Sequence, residues 1–319
     1  MNLRQLYDTS IRLGRALDIR GQEALSRQLA AARVEYEALP DWQQPYFDQE
    51  RLRNPFGDVR LVNGPDDVEL RSVLLGINIG LPELLLADAL RRQGQPIDAV
   101  IAHHTTGIGV APSLVYDFMP VNAAFLESAG VPAGEAARVI DAYMAEKWQA
   151  VEDYSRIGPD SARLLGLPLA CIHTPADYYT TEEVRPVVEA AAPATVLELV
   201  RALLTIPEVQ SAARIGVGPR VMSGDPGRPV GRILYKFGGG YILPPEAYTL
   251  LGRAGVNTVL QIGCPPAHAA AARAAGVCVV RIPHTACDNI GINLLLDAVE
   301  AEHGRLEVVP CHGFERIRR

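Results

Sequence analysis

From residue 3 to about residue 38, leucines and alanines recur every three or four positions among Arg, Glu and Gln. That spacing is the signature of an amphipathic helix, so the chain is expected to open with a helical segment. The next stretch, LPDWQQPYFDQERLRNPFGDVRLVNGPDD, carries four prolines and several turn residues and reads as an ordered, irregular connection. After Asp67 the texture changes to short apolar runs alternating with helical periods, which predicts strands linked by helices in a largely parallel sheet. The predicted strands are SVLLGINI from Ser72, DAVIAHH from Asp98, PLACIH from Pro168, NTVLQIG from Asn257, VCVVRIPH from Val277 and LEVVPC from Leu306. Helical periods run over 82–92, 133–154, 181–204, 245–254, 266–275 and 292–303. A second series of strand-and-helix units starts at Pro168, which sets an expected boundary between an N-terminal α/β lobe with its helical extension, 1–167, and a C-terminal α/β lobe, 168–319.

Composition narrows the class without changing this outline. At 319 residues, 48% hydrophobic and 21% charged, the chain has the balance of a globular protein with a substantial core. A formal net charge of -7 offers no global attraction to a polyanion, so nucleic acid is not an expected partner. No run approaches the roughly 18 to 20 apolar residues of a membrane span, and the opening MNLRQLYDTS has no secretory apolar core. A cytoplasmic protein without membrane association is therefore expected. Five cysteines with no C-x-x-C pair suggest reduced, packed thiols in place of a disulfide framework.

The candidate chemistry lies where three predicted strands stop on histidine: His103 and His104, His173, and His284. Loops leaving the carboxyl ends of parallel strands surround a crevice, and ligand-binding groups collect there. Two of these ends read His-Thr-x-x-Asp, placing Asp177 and Asp288 four residues after their histidines. If the strand runs into a helical turn, imidazole and carboxylate share one face. Composition alone predicts about 0.8 histidines followed four residues later by an acid, and three occur, the third being His303 with Glu307 in a polar connection that reads as surface. Recurrence at apolar strand ends therefore carries the signal. Neutral imidazoles and carboxylates suit zinc, manganese, iron, cobalt or nickel, and a bridging carboxylate can hold two ions that activate a shared water. The competing reading is that these are core histidines satisfied by backbone hydrogen bonds.

YKFGGGYI sets Lys236 beside Gly238, Gly239 and Gly240, a loop able to face an anion but equally a flexible turn before the helix at Pro245. Cys287 beside Asp288, and Cys171 two residues before His173, are close enough in sequence to reach the site, although packing suits both. Glu182 and Glu183 are candidate general bases, while TTEE also fits the acidic first turn of a helix, the reading favoured here. The glycines at 216 and 218 lack the third glycine of a dinucleotide fingerprint, and no G-x-S-x-G elbow is present.

With AHH, HTPAD and HTACD in this order, the chain from Val73 onward resembles the NGG-interacting-factor-three-like family, also labelled GTP cyclohydrolase type-two homologues. Members show a strand ending His-His, a middle His-Thr-x-x-Asp and a late His-x-x-x-Glu. The resemblance implies two α/β/α lobes with mixed or mostly parallel sheets and a dinuclear metal site between them. It also implies the ligands His103, His104, Asp177, His284 and Asp288, with Asp177 as bridge and His173 nearby as support or occasional ligand; Lys236 and Cys287, read from their positions, are further candidates for support. It further implies two divalent metal ions and a homohexamer. This chain departs from the pattern at Thr105 and Thr106, where Pro-Leu is common, at Pro283 in place of Gly, and at Asp288 in place of Glu. The expected function is a metal-dependent hydrolase of a small polar or phosphorylated metabolite, the alternative being a metal-binding regulatory or interaction protein without turnover.

Overall fold

A capping box starts the chain: the Asn2 side chain accepts from Gln5 N–H at 2.8 Å, and the Gln5 side chain accepts from Asn2 N–H at 2.8 Å. The computed structural model describes residues 1–104, 110–149, 156–240 and 242–319, with side chains described outside 110–118 and 147–149. In chain order its elements are α1 (Leu3–Leu17), α2 (Gly21–Ala38), β1 (Val59–Asn63), β2 (Ser72–Gly76), α3 (Leu81–Arg92), β3 (Ala99–Ala102), α4 (Val110–Ser128), α5 (Ala133–Gln149), α6 (Ile157–Leu165), β4 (Leu169–Ile172) and α7 (Thr174–Ala191). These are followed by α8 (Val196–Leu203), α9 (Pro207–Arg214), β5 (Arg220–Ser223), β6 (Ile233–Lys236), α10 (Pro245–Arg253), β7 (Thr258–Gln261), α11 (Pro266–Ala274), β8 (Cys278–Arg281), α12 (His284–His303) and β9 (Glu307–Cys311).

The chain divides into two α/β units, the first formed by Met1–Asp117, Ala150–Ala176 and Leu295–Arg316, the second by Phe118–Gln149, Asp177–Leu294 and Ile317–Arg319. In the first unit a sheet of order β1-β4-β3-β2-β9 is parallel throughout except for β1, which runs antiparallel to β4. Its strands are apolar on both faces. Leu74, Val100, Ala102, Leu169 and Cys171 pack with Leu84 and Ala87 of α3 and Ala162 of α6. The alternate residues Val73, Leu75, Ile101, Ala170 and Ile172 are equally buried, so β2, β3 and β4 are covered on both faces. That is why these three read as apolar runs, and all six predicted strands are present.

The second unit repeats the plan with a sheet of order β5-β8-β7-β6, in which β6, β7 and β8 are parallel and β5 is antiparallel to β8. Val184 and Val188 of α7, Leu199 and Leu203 of α8 and Val209 of α9 close over Leu260, Cys278 and Val280. On α10 and α11, Tyr248, Leu251 and Ala272 are fully buried. The antiparallel strands correspond residue for residue: RLVNG at 60–64 matches RVMSG at 220–224, each with a register shift two residues in. Both end on a left-handed glycine, Gly64 at φ 89° and Gly224 at φ 91°.

Several elements differ from the sequence expectation for local reasons. The opening helix is two helices, because the Asp18 side chain accepts from the Arg20 backbone and guanidinium and Gly21 takes φ 78°. The period over 181–204 is also two helices. The first starts at Thr174, and the second starts from a capping box between Thr195 and Glu198. Helix α12 starts at His284, eight residues before its apolar period. The helix at 133 is described to Gln149; its expected end at 150–154, like Thr105 and Thr106, lies outside the described residues. Strands β1, β5 and β6 and helices α6 and α9 were not foreseen, since short elements of mixed polarity lack a clear period, and the 19-residue α4 was not foreseen either. Among the described residues no helix is long and apolar enough to cross a membrane.

Gly64 tests the turn geometry. A Cβ there would lie 2.9 Å from the Pro168 Cα in addition to the left-handed backbone. Gly64→Ala is expected to destabilise the protein by about 2 kcal/mol, read as a lower urea midpoint at unchanged slope, and Gly224→Ala, whose Cβ would press on Cys278, is expected to do the same.

Candidate metal centre

In the first unit the parallel ladder continues past the end of β3: His103 N–H donates to Gly76 O at 3.1 Å and His104 N–H to Ile77 O at 2.8 Å. These bonds hold both histidine backbones while the chain turns, so their rings approach each other, with centroids 4.9 Å apart. His173, which follows β4 directly, adds a third ring edge-on, 4.7 Å from His103 and 5.3 Å from His104. One ring nitrogen from each of the three lies within 4.8 Å of the others. His103 and His173 are buried and His104 is half-buried.

Hydrogen bonds on the far sides of two rings fix their tautomers. His104 Nδ1 donates to Asn78 Oδ1 at 2.7 Å, and His173 Nδ1 donates to Asp58 Oδ2 at 2.6 Å. An acceptor at Nδ1 requires the proton there and leaves Nε2 with its lone pair, the state in which imidazole binds a metal. The three imidazoles thus form a set that can hold a metal ion.

The second unit carries the other predicted donors. His284 is the first residue of α12 and Asp288 lies one turn later, with Nε2 to Oδ1 at 3.4 Å, so this His-Thr-x-x-Asp does place imidazole and carboxylate on one helix face. Asp288 is buried and His284 half exposed. Asp177, Asp288, Lys236, Cys287 and Thr180 line one small cavity. Lys236 is buried, donates from Nζ to Gly238 O and sits over the Phe125 ring at 4.6 Å. Burial pushes its amine down from 10.5 to about 7, against the opposing pull of the Asp177 carboxylate. Burial, reinforced by Asp288 and Asp177, pushes the Cys287 thiol well up, which keeps it protonated and a poor nucleophile.

Within the glycine run Gly238 and Gly239 are buried and Gly240 is exposed. Gly239 and Gly240 have φ 82° and 65°, and Asn122 Nδ2 donates to Gly239 O at 3.0 Å. The helix-start reading of TTEE is overturned, because α7 begins at Thr174 and Glu182 and Glu183 lie in its middle. Glu182 is exposed, Glu183 is 3.3 Å from Arg319, and neither lines the cavity. Cys171 packs in the core of the first sheet. His303 bonds Thr9 Oγ1 at 2.8 Å while Glu307 pairs with Arg305 at 2.9 Å, in keeping with a structural role for that third spacing. Asp58 and Asn78, which bond the imidazoles, carried no spacing signal, and Thr174 of the middle motif donates to Asp58.

No family model matches the chain, and no curated protein sequence does. Among solved structures, a NIF3 superfamily protein from Sphaerobacter thermophilus is similar over 91% of this chain and 98% of its own, with 26% identity and a TM-score of 0.70. Reduced HcgD from Methanocaldococcus jannaschii is similar over 80% of this chain and 89% of its own, with a TM-score of 0.50. At 11% identity that second likeness is one of fold.

The buried amine sets a pH dependence. Its folded pKa, about 7, lies below the unfolded 10.5. Between those values the unfolded chain therefore holds more protons, and stability rises with pH across that window. Below it the cost of burying an ammonium is fully present. Lys236→Met should raise the urea midpoint of chelator-treated protein most at about pH 6, with the gain shrinking by about pH 9. A gain independent of pH would contradict this assignment.

Proposed function

The chain fits the NIF3-like family, and on that premise we propose that it is a metal-dependent hydrolase of a small polar or phosphorylated metabolite. The ligands in this reading are His103 and His104 from the first unit and Asp177, His284 and Asp288 from the second, holding two divalent ions among zinc, manganese, iron, cobalt and nickel. The observation that carries it is the cluster of three imidazoles at the ends of β3 and β4, two of them with Nδ1 already engaged and Nε2 left as donor.

Divalent ions held there would supply a water of lowered pKa and polarisation of a substrate oxygen. The chain's own contribution is to orient the donors and to keep them dry. Asn78 and Asp58 hold two imidazole planes, and burial of His103 and Asp288 excludes bulk water. Lys236, on the cavity shared with Asp177 and Asp288, offers N–H groups to an anionic or carbonyl oxygen of the substrate. In the same reading the protein is a cytoplasmic homohexamer with unpaired thiols; light scattering of the purified protein checks the assembly.

Elemental analysis by mass spectrometry is expected to find two equivalents of metal per chain, and His104→Ala to lose at least one. Turnover on a panel of nucleotides, phosphoesters and cyclic amidines should vanish with a chelator and return with metal. Two bound ions with no turnover on that panel would favour a metal-binding regulatory protein. Absence of stoichiometric metal would overturn both readings.

A further inference from the structure

Asp58 is a buried acid that the His-Thr-x-x-Asp motifs do not explain. It stands one residue before β1 and is 1% exposed. Its Oδ2 accepts two short hydrogen bonds, from His173 Nδ1 and from Thr174 Oγ1, both at 2.6 Å. Its Oδ1 is buried and has no hydrogen-bond partner among the described residues. The neighbouring Arg60 turns its guanidinium to Asp48 Oδ2 and to the carbonyls of Phe56 and Val59. Thus the donors to this carboxylate are an imidazole and a hydroxyl, neither carrying charge in its neutral form, and a buried carboxylate held only by neutral donors is poorly compensated. A cation on the opposite side of the His173 ring would supply the missing charge through the imidazole.

We propose that Asp58 is a positioning residue for a divalent cation and that His173 is a direct ligand of that cation through Nε2, alongside His103 and His104. This rests on the metal-binding reading above and goes beyond it in assigning the anionic partner that holds the third imidazole. The pairing holds the His173 ring edge-on to the other two and makes Nε2 a stronger donor. His104 is held differently, by the neutral amide of Asn78. The three imidazoles are therefore unequal, and His173 is the one whose affinity for a cation depends on a charge at the far side of its ring.

Cobalt(II) titration of the chelator-stripped full-length protein tests this. Asp58→Asn keeps the shape and removes the charge; it is expected to weaken the tighter site about 10- to 100-fold and to shift the visible ligand-field bands. The exposed Asp66→Asn should leave both unchanged. Identical affinity and spectrum in Asp58→Asn, with its fold verified by circular dichroism, would overturn the role of Asp58 while leaving the metal reading intact. A wild-type protein that takes up no cobalt would overturn the metal reading itself. Nitrogen-15 NMR of the wild type provides a readout that does not depend on the variant folding. The His173 ring should be protonated at Nδ1, and its Nε2 resonance should move on addition of zinc; an unmoved Nε2 would show that His173 is not a ligand.

Discussion

Two backbone hydrogen bonds, from His103 N–H to Gly76 O and from His104 N–H to Ile77 O, carry the parallel ladder of β2 and β3 two residues beyond the strands. Everything polar in the first unit's candidate site depends on that extension. It ties both histidine backbones to a sheet whose strands are buried on both faces, so the rings inherit the rigidity of a packed core. A loop of the same composition without the ladder would leave two adjacent imidazoles free to point apart. The other supports are of the same kind: Asn78 comes from the loop leaving β2, and His173 from the residue that follows β4. Three neighbouring strand ends thus contribute to a single cluster, in the manner general to open α/β sheets.

The second unit has the same strand plan and different chemistry at the same places. Where Gly76 and Ala102 are register partners in the first sheet, Lys236 and Gln261 are partners in the second. The residues that follow are His103 and His104 in one case and Ile262 and Gly263 in the other. Strand β4 is followed by His173 directly in the first unit, and β8 by Ile282 and Pro283 before His284 in the second. Histidine is therefore the residue preceding α7 in one unit and the first residue of α12 in the other. One scaffold supports imidazoles in one copy and carboxylates with a buried amine in the other, because residues at strand ends can change without disturbing the apolar faces.

Much of this was legible in the sequence. The central strands β2, β3, β4, β7 and β8 could be read because strands covered on both faces are apolar at nearly every position. The rings of His103, His104 and His173 could be singled out because histidine is conspicuous at the end of such a run. The pairing of His284 with Asp288 followed from helical spacing, which is set by local geometry. The antiparallel strands β1 and β5 escaped, since they are short edge strands that are only partly buried. The break at Asp18 escaped because a side chain accepting from the local backbone leaves the apolar period unaltered.

By itself the sequence determined what chemistry is available: imidazoles and carboxylates at strand ends, an α/β fold, and covered apolar sheets. These follow from periodicity and residue type, which are local properties. Only the tertiary structure decided how the donors are held. Asp58 meets His173 across 115 positions of chain, and Asn78 meets His104 across 26. No pattern of spacing encodes such pairs, because a hydrogen bond between distant segments depends on the whole fold that brings them together.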